Sequence, residues 1–376
     1  MGNSLNRIYA FVFASAMLWA IVFFLMPIYL KDIGMSGLEI GILSGITAIA
    51  ALLSLFPVGY INDRWSTRGV LIVSFILVSV FFLGVGFLEG FWIFLPLYIL
   101  GGIFSQAYRS TLRNLVYKKE TDARDGEKFG NYNMFMIYGK MVGLILIALL
   151  FVVVDFPTVL KITAVAFALL ALAALLLKPA KIALVKMGDY KADFMRKDVI
   201  FFSIIVFLFT LHWGAESTSY GLFVKTNLGL DLTMSSLFMA LPLLFLGYAS
   251  IKYGKRIDRG KNLGKMLAIG AVFSGLTHIL MAYPLVEWSF LMRCVHEFAD
   301  GIFNVALLFQ IGKFFPKERI GGNVGLMVMV MAVGEFAAAM VFGWMGPLYG
   351  YEWPLIISGI ISIVVAGIYW VYWKGG

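Results

Sequence analysis

Long apolar runs alternate with short polar segments along almost the whole chain. Each run is at least about 20 residues long, which is the length that an α-helix needs to cross the hydrocarbon core of a bilayer. The pattern therefore predicts an all-α polytopic membrane protein with 12 transmembrane helices. The predicted spans are residues 8–30, 37–61, 68–88, 91–116, 129–154, 157–177, 199–223, 233–253, 264–284, 287–315, 323–345 and 353–373.

Composition supports this assignment and limits the possible chemistry. Hydrophobic residues make up 61% of the 376 residues and charged residues 14%, whereas soluble domains average about 45–50% and about 25%. The segments between the spans are too short for a soluble catalytic domain. The single cysteine, Cys294, excludes an intrachain disulfide, and one Cys with three His offers few metal ligands. We therefore predict no enzyme activity, no cofactor and no metal.

The basic residues predict the orientation of the chain. With the N-terminus inside, 23 of the 30 Lys and Arg residues fall in interior loops and tails, and three (Lys31, Lys161 and Lys225) fall in exterior loops. This bias follows the positive-inside rule. It predicts a multi-pass protein of the cytoplasmic membrane with both termini cytoplasmic. The net charge of +9 then indicates contact with membrane lipid and no nucleic-acid partner.

The chain contains an internal repeat. Residues 59–64 (GYINDR) recur 195 residues later as residues 254–259 (GKRIDR). Residues 124–130 (RDGEKFG) recur at the same offset as residues 319–325 (RIGGNVG). The chain is therefore predicted to consist of two similar halves, each with six spans.

Because six is an even number, the two halves have the same orientation and form a parallel repeat. We predict an N-terminal six-helix bundle over residues 1–177 and a C-terminal six-helix bundle over residues 199–376. The charged run at residues 178–198 is predicted to be a cytoplasmic linker.

These motifs resemble those of the major facilitator superfamily. Residues 59–68 (GYINDRWSTR) are similar to its G-x-L-A-D-R-x-G-R-R/K motif between helices 2 and 3, although Ser66 and Thr67 depart from it. Residues 254–261 resemble the weaker copy between helices 8 and 9, and residues 124–130 resemble the signature between helices 4 and 5. The resemblance implies two pseudo-symmetric six-helix bundles, the major facilitator fold, and a secondary active transporter that works by alternating access.

The first motif contains a candidate gate. Asp63 lies at the interior end of span 2, with Arg64 and Arg68 beside it. An acid next to two bases near a helix end can form charge-assisted bonds between the two halves, which would hold one access state and break in the other. The alternative is that these charges only set the topology. The predicted gating residues are Gly59, Asp63, Arg64, Arg68, Asp258 and Arg259.

Ionisable residues within spans are costly, so each suggests a function. In span 10, Arg293, Glu297, Asp300 and Asn304 are spaced i, i+4, i+7 and i+11 and so share one helical face. This stripe is predicted to line a wet cavity, and the resemblance implies that spans 1, 4, 7 and 10 surround it. The alternative is a structural ion-pair seam between span 10 and span 4 or 7.

Other spans carry further charges. His212 and Glu216 share a face of span 7, and Arg109 lies within span 4. Lys140 and Glu335 are 195 residues apart, so they occupy equivalent positions with opposite charges near the midplane. Parallel-repeat transporters bind their substrate at that depth. The pair could form a latch between the halves or two arms of one site, or each residue could be satisfied within its own half.

Two histidine-containing features have separate interpretations, one as a structural residue and one as a zinc motif. His278 is alone on span 9, which the resemblance places on the outer ring, and it is predicted to be structural. His296-Glu297-x-x-Asp300 resembles the zinc motif H-E-x-x-H with its last His replaced. A catalytic zinc site needs three protein ligands, and the sequence shows no third ligand, which argues against a metalloprotease.

The division of charge suggests a mechanism. Bases in the N-terminal half can hold a polar or anionic part of a small solute, and carboxylates in the C-terminal half can take up and release protons as nearby bases move. We predict a monomer that moves a small-molecule solute together with protons. The predicted substrate-binding residues are Arg109, Lys140, Glu216, Asn304, Trp19 and Trp213. The predicted proton-coupling residues are Glu216, His296, Glu297, Asp300 and Glu335.

Three alternatives remain open. A proton-driven multidrug or metabolite efflux antiporter is the first, although residues 139–144 (GKMVGL) lack the proline of the exporter motif G-x-x-x-G-P. A lipid or lysolipid flippase is the second. A membrane scaffold or receptor that has lost transport is the third.

Overall fold

The computed structural model describes residues 3–24, 26–119, 124–150, 153–180, 186–260 and 262–375. Residues 181–185 of the predicted linker lie outside this range. So do residues 1, 2 and 376, and with them the ends of both predicted interior tails. Within the described residues the regular structure is helical throughout, with no β-strand.

The described residues of the first half form seven helical segments. In the first span, α1 and α2 lie on either side of residue 25, which is outside the described residues, and each of the other five spans corresponds to one helix. The helices are α1 (Asn3–Phe24), α2 (Met26–Asp32), α3 (Gly37–Arg64), α4 (Thr67–Phe87), α5 (Phe91–Lys118), α6 (Asp125–Leu150) and α7 (Phe156–Ala173).

The second half follows a short helix in the linker. Spans 7 and 8 are each divided in two. The helices are α8 (Met187–Phe194) in the linker, then α9 (Lys197–Ala215), α10 (Gly221–Thr226), α11 (Leu232–Ala240), α12 (Leu243–Asp258), α13 (Leu263–Leu280), α14 (Val286–Phe314), α15 (Ile320–Tyr349) and α16 (Glu352–Gly375).

Ten helical segments of the described residues are long and apolar enough to cross a membrane. They correspond to spans 2–4 and 6–12. Span 1 contributes a shorter apolar segment, Leu5–Ala20. Span 5 is the 26-residue helix α6, whose first turn carries Asp125 and Glu127. The described helices therefore agree with the twelve predicted spans.

Side chains at the loop ends explain where several helices begin. Ser36 accepts a hydrogen bond from the N–H of Glu39, whose carboxylate accepts one from the Ser36 N–H, which is a capping box at the start of α3. Asp155 caps α7 by accepting from the N–H of Thr158 at 2.9 Å. Hydrogen bonds from Thr158 hold the pKa of the Asp155 carboxyl below its usual value.

The chain forms two compact units that do not coincide with its two sequence halves. The first unit comprises Met1–Asp122, Tyr138–Lys191 and Phe315–Met329. The second comprises Ala123–Ile137, Ala192–Phe314 and Val330–Gly376. The first part of α6 therefore packs with the second unit, and the first part of α15 packs with the first. The boundaries predicted for the two halves describe the repeat and stay a prediction.

Each unit has its own core. In the first unit, the rings of Phe75, Phe82 and Tyr108 pack around Phe167, with ring centres 5.6–6.0 Å apart. In the second unit, the apolar cluster contains Tyr220, Phe223, Phe238, Phe342 and Leu355. These cores hold the helices that position the polar side chains of each unit.

Candidate functional site

The backbone between α9 and α10 has an unusual local geometry. Residues Glu216–Tyr220 form one turn of π-helix, which joins the two helices into a continuous segment. Such turns insert one extra residue and are frequent at functional sites. This turn begins at Glu216 and ends at the fully buried Tyr220.

Seven ionisable side chains of the second unit converge around this turn, and we refer to them as the polar cluster. They come from α9 and the π-turn, from α13 and from α14. The members are His212, Glu216, His278, Arg293, His296, Glu297 and Asp300.

Arg293 is the central cation of the polar cluster. Its Nη1 donates to Glu216 Oε1 at 2.6 Å, and its Nη2 lies 2.5 Å from Glu297 Oε1. Its guanidinium also lies 4.5 Å from the ring centre of Tyr220. The arginine and both carboxylates are thus paired within the second unit. A buried pair of this kind is costly to break, because one charge would be left uncompensated.

Two histidines are held in a defined tautomer by the main chain. The Nδ1 of His212 lies 2.6 Å from the carbonyl oxygen of Phe209, and the Nδ1 of His296 lies 3.0 Å from that of Ser274. A carbonyl oxygen can only accept, so each Nδ1 must carry the hydrogen. In the neutral imidazole, each Nε2 therefore presents a lone pair to the polar cluster.

Those lone pairs face carboxylates. The Nε2 of His296 lies 2.6 Å from Glu216 Oε1, and the Nε2 of His212 lies 3.3 Å from Asp300 Oδ2. Two acceptors cannot form a hydrogen bond, so the 2.6 Å contact requires a shared positive charge, which a proton can supply. The arrangement is thus built to hold a cation between imidazole and carboxylate.

Most of the polar cluster is shielded from solvent. His212, His278 and His296 are fully buried, and Glu297 and Asp300 are each 4% exposed. The Glu216 side chain is 20% exposed, which makes it the most accessible carboxylate of the group.

The first unit contains a separate cationic feature. The guanidinium of Arg109 lies 5.6 Å from the ring centre of Trp19, within the range of a cation–π contact. Its Nε donates to the carbonyl of Ser105 at 3.1 Å. Arg109 is partly exposed, and Lys140 on α6 is exposed.

A glycine next to Lys140 lets α6 approach α1 closely, because a Cβ at Gly139 would meet the main chain of Phe13.

Asp63 caps a helix of the other sequence half. Its fully buried carboxylate accepts from the N–H groups of Gly321 and Gly322, at 3.1 and 2.8 Å, at the start of α15. It also lies 2.7 Å from Lys118 Nζ and accepts from the Tyr190 hydroxyl at 3.0 Å. All five residues belong to the first unit. Helix N-termini favour negative charge, so the site suits a carboxylate.

The linker takes part in this contact. Tyr190 on α8 packs its ring against Gly322, where a Cβ would collide with it. Burial and the Asp63 carboxylate raise the pKa of Tyr190 above its usual value. The hydroxyl therefore stays protonated and donates to Asp63.

The same arrangement recurs in the second unit. Asp258 accepts from the N–H groups of Gly126 and Glu127, both at 2.7 Å, at the start of α6. Arg124 donates to the carbonyl oxygen of Asp258 at 2.9 Å. The glycines permit main-chain contact, since a Cβ at Gly126 would collide with the carbonyl of Gly254. The first motif of each sequence half therefore binds the second motif of the other half.

A comparison with protein families decides the identity of the fold. The model of the Major Facilitator Superfamily matches residues 8–259 and 202–375. The chain belongs to the Major Facilitator Superfamily.

Relatives and solved structures of this superfamily match nearly the whole chain. An uncharacterized MFS-type transporter of Methanocaldococcus jannaschii is 23% identical over 356 residues, which cover 91% of this chain and 90% of the relative. A homolog of the multi-drug resistance efflux pump PmrA in Lactococcus lactis is 22% identical over 373 residues, covering 92% and 88%.

Two solved structures show the same fold. That of the human organic anion transporter MFSD10 has a TM-score of 0.77 at 14% identity, covering 97% of this chain and 99% of the other. The proton:xylose symporter XylE, bound to 6-bromo-6-deoxy-D-glucose, has a TM-score of 0.75 at 12% identity, covering 99% and 96%. The predicted major facilitator fold is confirmed, and the protein is a multi-pass membrane transporter.

Within this major facilitator, the polar stripe of α14 is divided. Arg293, Glu297 and Asp300 have the partners described above, whereas Asn304 is partly exposed. The ion pairs joining α14 to the π-turn match the alternative of a structural seam between spans 10 and 7. Trp213 joins the same seam, because its Nε1 donates to Asp300 at 3.4 Å. Whether the stripe also lines a cavity stays a prediction.

His278 has the bonded position expected of a structural residue, because its Nδ1 lies 3.0 Å from the Ser358 hydroxyl. Its ring also stacks on that of His296 with centres 4.9 Å apart. The expectation that His296 has no third metal ligand is wrong, since His212 and Glu216 each place a ligand atom close to it. These residues come from separate helices, so sequence spacing does not report that they are close.

The charged residues of the first motif have different surroundings. Lys118 neutralises its charge, whereas Arg64 is exposed and contacts the Tyr60 hydroxyl. Arg68 and Arg259 are exposed as well. The motif arginines point outward because the space beside each carboxylate is taken by a helix N-terminus. Glu335 is partly exposed on α15, and its predicted relation to Lys140 stays a prediction.

Proposed function

We propose that this transporter moves a small polar or anionic solute together with protons, and that the polar cluster is the proton-coupling site. The observation that carries the proposal is the 2.6 Å contact between His296 Nε2 and Glu216 Oε1, because the tautomer of His296 makes this contact favourable only with a shared proton. Glu216 is also the most accessible carboxylate of the group.

The solute is proposed to bind first to the first unit. Arg109 and Lys140 are its candidate cationic groups, and the Arg109 guanidinium is held beside Trp19 by the Ser105 carbonyl. Guanidinium groups bind carboxylates and phosphates with two parallel hydrogen bonds. This favours an anionic or polyhydroxyl solute, in line with the organic anion transporter and the xylose symporter that share the fold.

The contacts of Asp63 and Asp258 are proposed to form the interior gate. Each joins a helix of one sequence half to a helix N-terminus of the other. Movement of the halves during transport would have to break these bonds. The gate would therefore stabilise the access state in which both contacts are made.

A thermal-shift panel of sugars, organic acids, nucleosides, phospholipids and cationic drugs identifies the solute to test. Proteoliposomes holding a pH-sensitive dye then report whether adding that solute drives proton movement. Glu216→Gln should abolish proton movement and gradient-driven uptake but leave solute counterflow. Glu318→Gln, the same change at an exposed position, is the control. Unchanged proton movement in Glu216→Gln would refute the coupling site.

The second candidate is proton-driven efflux, which the similarity to the PmrA homolog favours. The two differ in the response to an imposed gradient. In proteoliposomes with a known protein orientation, symport accumulates solute on the side toward which protons flow, and antiport depletes it there. Binding of phospholipids alone would indicate a flippase, and no transport of any ligand would indicate a scaffold.

A further inference from the structure

All three histidines of the chain meet at one point of the second unit. They lie on α9, α13 and α14, and the chain has no others. The ring centres of His212 and His278 are 5.7 Å apart, as are those of His212 and His296, and those of His278 and His296 are 4.9 Å apart. One ring nitrogen of each already has a partner, which is Phe209 for His212, Ser358 for His278 and Ser274 for His296. Their other ring nitrogens lie close to carboxylates, which makes the three histidines a candidate ligand set.

The histidines are oriented as metal ligands are. A ligating histidine almost always donates its other ring N–H to a carbonyl or carboxylate, which fixes the tautomer. His212 does so to Phe209 and His296 does so to Ser274. Both Nε2 atoms therefore face inward as neutral donors of an electron pair.

Glu216 completes a set of three ligand atoms. One atom each from His212, Glu216 and His296 lies within 4.8 Å of the other two. Two further atoms are available nearby. The Nε2 of His278 lies 3.8 Å from Glu216 Oε1, and neither it nor Asp300 Oδ1 makes a hydrogen bond among the described residues.

The charge of the polar cluster also calls for a cation. Three carboxylates, Glu216, Glu297 and Asp300, face one arginine, Arg293. With neutral imidazoles the formal charge is negative, and a buried excess charge is unfavourable unless compensated. One divalent cation would neutralise it. Arg293 would keep its contact with Glu297 when Glu216 turns to the metal.

We infer that this site binds one divalent transition-metal ion of the zinc class, with His212, Glu216 and His296 as ligands and His278 next to them. Imidazole and carboxylate together suit zinc and its neighbours rather than magnesium or calcium. Two ligands about 2.0 Å from a tetrahedral ion lie about 3.3 Å apart, so the contact between His296 and Glu216 must lengthen by a side-chain rotation. The ion would use the same two atoms as the shared proton of the proposed function, His296 Nε2 and Glu216 Oε1, so the two exclude each other at this position.

The test uses the full chain, purified in detergent with an affinity tag that contains no histidine and treated with a chelator. Titration with Co²⁺ should give the visible absorption of a four- or five-coordinate ion, saturating at one ion per chain. His212→Gln and His296→Gln should each weaken binding at least tenfold. Asp198→Asn, at an exposed acid of the same helix α9, should leave it unchanged.

A second measurement covers a variant that fails to fold. X-ray absorption at the zinc edge of the wild-type protein should show scattering from at least two imidazole ligands. Loss of the Co²⁺ spectrum in both histidine variants with retained monodispersity supports the site. No stoichiometric binding by the wild type, wild-type binding by both His212→Gln and His296→Gln, or zinc without imidazole scattering would overturn it. Because no transport is measured, this outcome is separate from that of the proposed function.

Discussion

Replacing Asp63 by asparagine tests the gate directly. The Asp63 carboxylate serves four donors, with Lys118 and Gly321 at Oδ1 and Tyr190 and Gly322 at Oδ2. An amide keeps one oxygen, and its NH₂ group faces donors at the other position. Two of the four donors therefore lose their acceptor, and Lys118 loses its counterion.

The size of the effect follows from burial. Asp63 is fully buried and the Lys118 side chain is 5% exposed, so solvent screening is weak. Breaking one side of a buried pair costs about 3–5 kcal/mol. If the contact exists in only one access state, a loss of about 3 kcal/mol shifts the equilibrium between states about a hundredfold, because 1.36 kcal/mol corresponds to a factor of ten.

A cysteine placed in the contact reports the shift. Leu55 is 3% exposed. It lies against Gly325 of α15, where an added Cβ would collide with the Leu55 carbonyl oxygen. In a Cys294→Ser background, the maleimide labelling rate of Leu55→Cys should rise about a hundredfold when Asp63→Asn is added. Asp155→Asn, the same change at the exposed N-cap of α7, is the control. An unchanged labelling rate together with a lower melting temperature would show that Asp63 only stabilises the fold.

Three other substitutions have defined outcomes. Tyr190→Phe removes one hydrogen bond to Asp63, worth about 1 kcal/mol, and should raise labelling of the Leu55→Cys reporter about fivefold; an equal rate would separate the linker from the gate. Glu335→Gln should abolish proton-driven uptake while counterflow continues, and intact uptake would remove it from the coupling residues. Lys140→Ala should weaken binding of an anionic solute about tenfold in a thermal-shift titration, and equal affinity would make Lys140 structural.

The local features of the chain are readable because they depend on near neighbours. Apolar run length predicts helices that cross a membrane, and the bias of Lys and Arg predicts their orientation. The offset of 195 residues predicts that Gly59 and Gly254 have the same role, and each does lie in a close main-chain contact. The motif at Asp63 and its copy at Asp258 were also identifiable.

The partners of those residues depended on tertiary structure. Asp63 binds the N-terminus of α15 some 258 residues away, and no periodicity links the two positions. The motif bases Arg64 and Arg68 lie closer to Asp63 in sequence, but both are exposed. They are excluded because backbone N–H groups fill the space around the carboxylate and Lys118 supplies the positive charge.

The sequence by itself determined that the chain is a membrane protein of two six-span repeats with a polar stripe on one helix, because each of these properties is a matter of composition and spacing. Tertiary structure decided which buried charges meet. His278 joins the polar cluster because α13 packs against α14, and Glu216 reaches Arg293 from the π-turn that joins α9 and α10. Side chains on separate helices come together only when the helices pack. Packing is driven by burial of apolar surface over the whole core, so it cannot be read from any single segment.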